Sequence, residues 1–451
     1  MSEVRHTIEE RAEKYVGWLK EACSIPSLAE QPDGLVRMAA WLEERFDELG
    51  ATTERLIHEG APDALLAKIG TGERTVLIYD HYDVQPVDPI ELWDSKPFDP
   101  DERDGYIYAR GVADNKGDLI ARLAALEVYK DVYGDLPIQV KVLVEGEEEA
   151  GSKSFETIVE RHADRLAAEG CIWEGHQIDH AGRPDLVFGA KGLAYVELNV
   201  RGLNEDQHSS RAVVAPSPVW RLVEALATLS DPSGRVLIDG FYDDVVAPTE
   251  RDIAELEALP FDEAAERERL GTDHFVGDVT GLEFKKRYFY EPTCNIAGLV
   301  AGFIIPGLSK TVLPKQAMAK VDMRLVPDQD PHDIVDKLRA HLDGRGFTDI
   351  EMTTFSMEHP VRSPSDSLIG RAAVDAAREI FGDDVVVAPM MIGTGPMYPI
   401  AHTLGIPTVS PAGIHRPDSN IHAPNEKARV DDFFKIIEYT VAYLKRFSEL
   451  D

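Results

Sequence analysis

The 451-residue chain is short of cysteine, of cationic side chains and of long apolar runs. Its three cysteines, Cys23, Cys171 and Cys294, are too few and too scattered for a disulfide framework or a cysteine-based zinc site. Any metal must therefore be held by histidine and carboxylate, and 14 histidines supply candidates. Lysine and arginine number 47 against 81 aspartates and glutamates, a formal net charge of −34. A surface of that sign repels nucleic acid and anionic membranes, so neither is expected as a partner. No apolar stretch approaches the roughly 20 residues of a membrane helix. Residues Met1 to Glu21 are charged throughout, which predicts no signal peptide and a cytoplasmic protein. Internal repeats and low-complexity segments are missing too. What remains, 43% hydrophobic and 28% charged, is ordinary globular chain of a length for two or three domains.

Against that background one stretch stands out, Glu145-Gly146-Glu147-Glu148-Glu149-Ala150-Gly151-Ser152. Four carboxylates follow the apolar alternation of Val140, Val142 and Val144, which reads as a buried strand. Like charges so close repel and resist burial. Either the run is a solvated turn or a cation neutralises it. Two other strand ends carry matching groups. The run Val76 to Tyr79 is wholly apolar, as in a strand covered on both faces, and delivers His81-x-Asp83. There a carboxylate can hold the imidazole tautomer while the other ring nitrogen faces a metal. Tyr106 to Ala109 leads into Arg110-Gly-Val-Ala-Asp114-Asn-Lys116-Gly117, where a helix begins. Asp114 suits an N-cap and equally a metal-bridging carboxylate. Cys171-Ile172-Trp173 reads as a further short strand running into Glu174.

Helices are predicted over Thr7–Ser24, Gly34–Leu49, Phe155–Glu169, Pro218–Leu229, Leu368–Phe381 and Val430–Phe447. Strands alternating with helices as far as about Gly192 indicate an α/β domain, whose functional groups collect at the C-terminal strand ends. From Leu193 the texture changes. Tyr195–Val200 and Ala317–Arg324 alternate like an antiparallel sheet open on one face. Thr249–Leu270 reads as an acidic, exposed helical stretch with no assignable chemistry. Met391–Pro396 offers flexible backbone amides suited to a carboxylate, and Pro417–Glu426 is a polar loop carrying His422.

Taken in order, His81-x-Asp83, Arg110-Gly-x-x-Asp114, Glu148-Glu149-x-Gly151 and the late His422 resemble the co-catalytic zinc peptidases that include carnosinase, carboxypeptidase G, aminoacylase, acetylornithine deacetylase and succinyl-diaminopimelate desuccinylase. The resemblance spans nearly the whole chain and is nearest to the dipeptidase members. It implies a phosphorylase/hydrolase-like mixed-sheet catalytic domain over residues 1–192 and 362–451. It also implies an inserted α+β, ferredoxin-like lid and dimerisation domain over 193–361. Two zinc ions per subunit are implied (manganese or cobalt also suit such ligands), one held by His81, Glu174 and Asp114, the other by Glu149, His422 and the shared Asp114. Glu148 is then the general base acting on water between the ions, Asp83 orients His81, and the Asp114–Asn115 peptide is often cis in such proteins. His208 matches a lid histidine that reaches the other subunit's active site. Asn295, Arg324 and the loop Gly393, Thr394 and Gly395 match positions binding the substrate's carboxylate end, and His359 resembles a further lid histidine.

The sequence departs from that family's pattern in having Ser210 after His208-Ser209 where glycine is common. It also has Glu174 where dipeptidases usually carry aspartate. The activity the resemblance implies is hydrolysis of the amide bond of dipeptides or short peptides with a free C-terminal carboxylate, by a zinc-bridged water with Glu148 as general base, in a homodimer. The alternatives are an N-acyl-amino-acid deacylase, a carboxypeptidase, or, from a different class, a non-catalytic metal-binding scaffold.

Overall fold

A computed structural model describes residues 1–450. Two compact units emerge. The first comprises Met1–Gly189, Arg362–Pro389 and Pro396–Asp451; the second comprises Ala190–Val361 with the short segment Met390–Gly395. No helix among the described residues is long and apolar enough to cross a membrane.

The first unit is built on a mixed six-stranded sheet in the order Thr52–Leu56, Ala64–Ile69, Gln139–Glu145, Thr75–His81, Cys171–Ile172, Thr408–Val409. The four strands from Gln139–Glu145 onward run parallel. Both of the longer parallel strands are buried almost end to end, as expected where helices cover both faces. Those helices include Lys116–Tyr133, Leu368–Phe381 and Val430–Glu449, whose apolar residues join one core with the sheet. Parallel register sets Tyr79 opposite Leu143 and His81 opposite Glu145. The ends of the two strands, and so their following loops, stand side by side.

Most predicted elements recur with shifted ends. The helix expected over Thr7–Ser24 is two helices, Ser2–Glu10 and Ala12–Cys23, because Arg11 leaves helical geometry at φ −112°, ψ 11°. Likewise the stretch Phe155–Glu169 divides into Phe155–Arg161 and Ala163–Leu166 at His162. The Thr75 strand runs on to His81, two residues past its apolar run, since its neighbour continues to Glu145 and the ladder keeps pairing.

In the second unit, Gly192–Arg201, Pro218–Leu226, Asn295–Ala301, Gln316–Leu325, Pro331–Gly344 and Glu351–Glu358 follow a β-α-β-β-α-β order. The antiparallel sheet runs Asn295–Ala301, Gln316–Leu325, Gly192–Arg201, Glu351–Glu358. Alternate residues Ala194, Val196, Leu198, Ala319, Val321 and Met323 enter a core shared with Leu222, Ile334 and Leu338 of the two helices. The intervening residues, Asp322 and Arg324 among them, lie on the opposite, half-buried face. Three further helices, Glu250–Ala258, Glu263–Leu270 and Gly281–Tyr290, are inserted before the second strand of this sheet.

Candidate metal centre

The acidic run divides its work. Glu145 turns inward, where the Tyr79 hydroxyl and Ser152 Oγ donate to it, and burial pushes its carboxyl up to about 8. Glu147 accepts the Ser154 amide at 3.1 Å. Glu148 and Glu149 form a short turn whose amides donate to Asp83 Oδ1 and Oδ2 at 3.2 and 2.9 Å. Gly146 allows this path, since a Cβ there would lie 2.3 Å from the Tyr82 ring.

Asp114 lies at the middle of the centre. Its Oδ1 is 3.2 Å from His81 Nε2 and its Oδ2 is 3.0 Å from His422 Nε2, so each oxygen faces one imidazole. Glu174 Oε2 lies 3.8 Å from the same His81 nitrogen, and Glu149 Oε2 lies 3.2 Å from that of His422. The donor atoms of His81, Asp114 and Glu174 all lie within 4.8 Å of one another, as do those of Asp114, Glu149 and His422. Asp114 is not a helix cap: Asn115 occupies the position before Lys116–Tyr133, without a side-chain cap. The Asp114–Asn115 peptide is cis. Glu169, close in sequence to Glu174, sits beside Thr75 and Arg74 at the start of the neighbouring strand, so strand direction separates the two carboxylates.

Electrostatics mark these groups as mutually dependent. For Asp114, burial works upward, but hydrogen bonds from His422 and His81 hold it far below the usual carboxylate range. Burial alone would depress His81, yet the Glu174 charge and the Asp114 and Asp83 carboxylates raise it well above an ordinary imidazole. Hydrogen bonds to Asp114 and Glu149 lift His422 to about 10. Burial, with the charges of Glu149 and Asp114 and against that of His81, pushes Glu148 up to about 7. Glu174 is raised further still, chiefly by burial. One oxygen each of Glu149 and Glu174 is buried without a hydrogen-bond partner among the described residues. Crowded carboxylates with orphaned oxygens and two imidazoles converging on Asp114 are the donor set that divalent cations such as zinc accept.

A supporting shell fixes the ligands. His81 Nδ1 lies 3.2 Å from the Asp83 carbonyl and 3.4 Å from its carboxylate. Gln85 Nε2 donates to Glu149 Oε2 at 2.8 Å, and Ser410 Oγ to the Glu174 carbonyl at 2.6 Å. Sequence reasoning missed Glu426, four residues beyond His422. Its buried carboxylate accepts from Arg110 Nη1 at 2.6 Å and from the amides of Gly111, Ala113 and Asp114 at 2.9, 2.8 and 3.1 Å. Every partner is a donor, so the arrangement suits the ionised form, although burial raises this carboxyl against Arg110 and the amides. It ties the His422 loop to the Asp114 loop. The only signal in the sequence was its place in the same polar loop as His422, whose backbone is left-handed at φ 60°.

The remaining candidates belong to the second unit. Arg324 donates to the Thr394 hydroxyl, which donates in turn to the Lys191 carbonyl at 2.8 Å. The Gly393 carbonyl accepts the Lys191 amide at 3.0 Å, and Gly395 ends this segment. Asn295 pairs with Asp322 across neighbouring strands, its amide donating at 2.8 Å. His208 is exposed, with Nδ1 2.9 Å from Ser210 Oγ and accepting the Ser210 amide. His359 lies 6.2 Å from the His332 ring, centre to centre.

Comparison with known proteins places these features in context. A model of peptidase family M20/M25/M40 matches residues 77–446. Human Beta-Ala-His dipeptidase is 30% identical over 431 residues, 89% of this chain and 83% of that protein. A Cys-Gly metallodipeptidase of Schizosaccharomyces pombe is 25% identical, covering 100% of this chain and 99% of that protein. Among solved structures, an M20 family metallo-carboxypeptidase from Sulfolobus solfataricus superposes with a TM-score of 0.88 at 38% identity, covering 97% of this chain and 99% of that one. Human carnosine dipeptidase 1 gives a TM-score of 0.77 at 26% identity, with both chains fully covered.

Proposed function

The chain belongs to peptidase family M20/M25/M40, and on that premise we propose that it is a metal-dependent dipeptidase holding two zinc ions. The observation that carries this is Asp114, whose two oxygens face His81 and His422 separately while Glu174 and Glu149 complete the two groups. His81, Asp114 and Glu174 would hold one ion, and Asp114, Glu149 and His422 the other. When bound, such a pair polarises the scissile carbonyl and lowers the pKa of water toward about 7. Glu148 has no place in either ligand group, yet its backbone is fixed by Asp83. It takes the proton of the attacking water and delivers it to the leaving amine nitrogen. Asp83 holds the His81 ring and the Glu148–Glu149 turn together. Arg324, steadied by Thr394, takes the substrate's free carboxylate, with Asn295 and the Gly393 and Gly395 backbone alongside. His208 and His359 supply donors from the second unit, which acts as lid and dimerisation domain.

A homodimer is supported by the edge strand Asn295–Ala301, where Ile296, Leu299 and Val300 are about half exposed. Three free cysteines suit a reducing, cytoplasmic setting. Sedimentation of a species at twice the 50.0 kDa chain mass checks the dimer.

The deciding experiment assays metal-loaded and chelated protein on free dipeptides and on the same amino acids carrying acetyl or succinyl caps. Cleavage of free dipeptides that chelation abolishes supports the reading. Cleavage confined to capped amino acids replaces it with a deacylase. The likeness to a metallo-carboxypeptidase favours one second reading, and preferential release of the C-terminal residue from longer peptides would establish it.

A further inference from the structure

Wholly within the second unit lies a cavity of about 490 Å³, inside the roughly 300–1,000 Å³ range of small-molecule sites. One side is aromatic. Phe275 and Tyr288 flank Phe284 at centroid distances of 4.6 and 5.4 Å, in and before the inserted helix Gly281–Tyr290. Val276 and Ile392, 62% and 44% exposed, bring further apolar surface to its rim. Polar groups line it as well, and they differ in whether their charge is met. Arg269 is paired with Glu266, and Arg287 with Glu291 and two carbonyls. Lys191 and Arg324 are not so matched. Lys191 is only 4% exposed, and its ammonium donates to the Glu291 carbonyl at 2.8 Å. Neither it nor Arg324 has a carboxylate within ion-pair distance among the described residues.

A buried cation without a counter-ion is costly unless an anion arrives. Burial, reinforced by Arg324 and opposed by Glu291, lowers Lys191 to about 8, so it still carries its proton at neutral pH. The site thus offers two unmatched cations beside an aromatic-lined hollow. A small inorganic anion would satisfy the charges and leave the apolar wall wet. A carboxylate attached to a bulky apolar group satisfies both.

We propose that this cavity receives the side chain of the substrate's C-terminal residue, selecting bulky apolar residues, and that Lys191 joins Arg324 in taking the adjoining carboxylate. This rests on the reading of Arg324 as the carboxylate partner, and it adds the specificity that reading leaves open. The aromatic wall comes from Phe275, Phe284 and Tyr288, which lie in sequence between the acidic helix Glu263–Leu270 and the strand Asn295–Ala301.

The test compares kcat/KM of metal-loaded protein on Ala-Phe, Ala-Leu and Ala-Gly. Wild type is expected to favour Ala-Phe and Ala-Leu over Ala-Gly by at least tenfold, mainly through KM. Val276→Trp, at an exposed rim position, should cut that preference to threefold or less by lowering kcat/KM on Ala-Phe and Ala-Leu more than on Ala-Gly. Lys191→Met should raise KM for all three at least tenfold with little change in kcat, and Lys191→Arg should restore it. Equal kcat/KM on Ala-Phe and Ala-Gly in wild type, or a preference untouched by Val276→Trp, overturns the proposal. Failure to cleave any dipeptide brings down the dipeptidase reading instead. The cavity is then judged by calorimetric titration of chelated protein with N-acetylphenylalanine and N-acetylglycine. At least tenfold tighter binding of the phenylalanine compound, lost in Lys191→Met, supports the cavity; equal or no binding overturns it.

Discussion

Glu426 offers the sharpest check on how this centre is held together. Its carboxylate and the Arg110 guanidinium are each about 1% exposed. Removing one member of a buried ion pair costs roughly 3–5 kcal/mol, because the other charge is stranded. Glu426→Ala would also orphan the amides of Gly111, Ala113 and Asp114, at about 1–3 kcal/mol for each that stays dry. Set against a total stability of about 5–15 kcal/mol, that variant is expected to fold poorly. Glu426→Gln is the informative change. It keeps one acceptor oxygen, loses the charge, and turns an NH2 group toward donors. The expected loss is about 2 kcal/mol, the difference between charged and neutral hydrogen bonds summed over the few that survive. Because the Asp114 amide is one of the donors, the Asp114 loop loosens, and metal affinity should fall about 10–100-fold, the usual cost of losing a group that hydrogen-bonds and orients a metal ligand. Urea unfolding of chelated protein reads the first quantity, and competition with a chromophoric chelator reads the second. Wild-type metal affinity in Glu426→Gln, with stability changed by less than about 0.5 kcal/mol, would refute the reasoning.

Glu148→Gln should lower kcat by roughly 10²–10⁴-fold with both metals retained, as checked by elemental analysis beside steady-state rates; unchanged turnover removes Glu148 as base. Chelated protein should lose stability as pH rises from about 5 to 8. Glu148, Glu174, His81 and His422 all have folded-state pKa values raised above their unfolded ones, so each contributes stability below the unfolded value and loses it through the folded value. Metal should reverse the trend, giving a larger rise in Tm at pH 8 than at pH 5, since its ligands bind deprotonated; melting curves with the opposite slope would contradict this. Gly175→Ala would place a Cβ 2.4 Å from Asp118 Oδ2 and from the Gly413 Cα, so it should cost about 1–3 kcal/mol in denaturant melts and weaken metal binding through its neighbour Glu174.

Much of the site was legible because its chemistry is concentrated in short segments at strand ends. The apolar run Val76–Tyr79 and the alternation Val140–Val144 mark two strands, and parallel pairing of such strands delivers their following residues to one edge. His81, Asp114, Glu149 and Glu174 were readable that way, whereas His422 stood out only as the histidine of a polar loop and through the family resemblance; the five do meet. The second unit's alternation at Tyr195–Val200 and Ala317–Arg324 was readable for the same reason, since a half-buried strand writes its facing into every second residue.

Other features leave no local trace. Whether Asp114 capped a helix or faced two histidines depended on where the His422 loop returns, 308 residues later. Strand direction, not spacing, set Glu174 inward and Glu169 beside Arg74. Glu426 looked like a loop carboxylate until the fold closed Arg110 and three amides around it. The stretch ending at Leu270, blank as chemistry in the linear chain, lines a cavity with Lys191 and Arg324. Residue type and periodicity suffice for which groups can ligate, donate or pack, because those are properties of single side chains and of one strand or helix. Which groups share a charge, lose their water or are left unpaired is a property of distances between segments remote in sequence, and only the folded chain sets those distances.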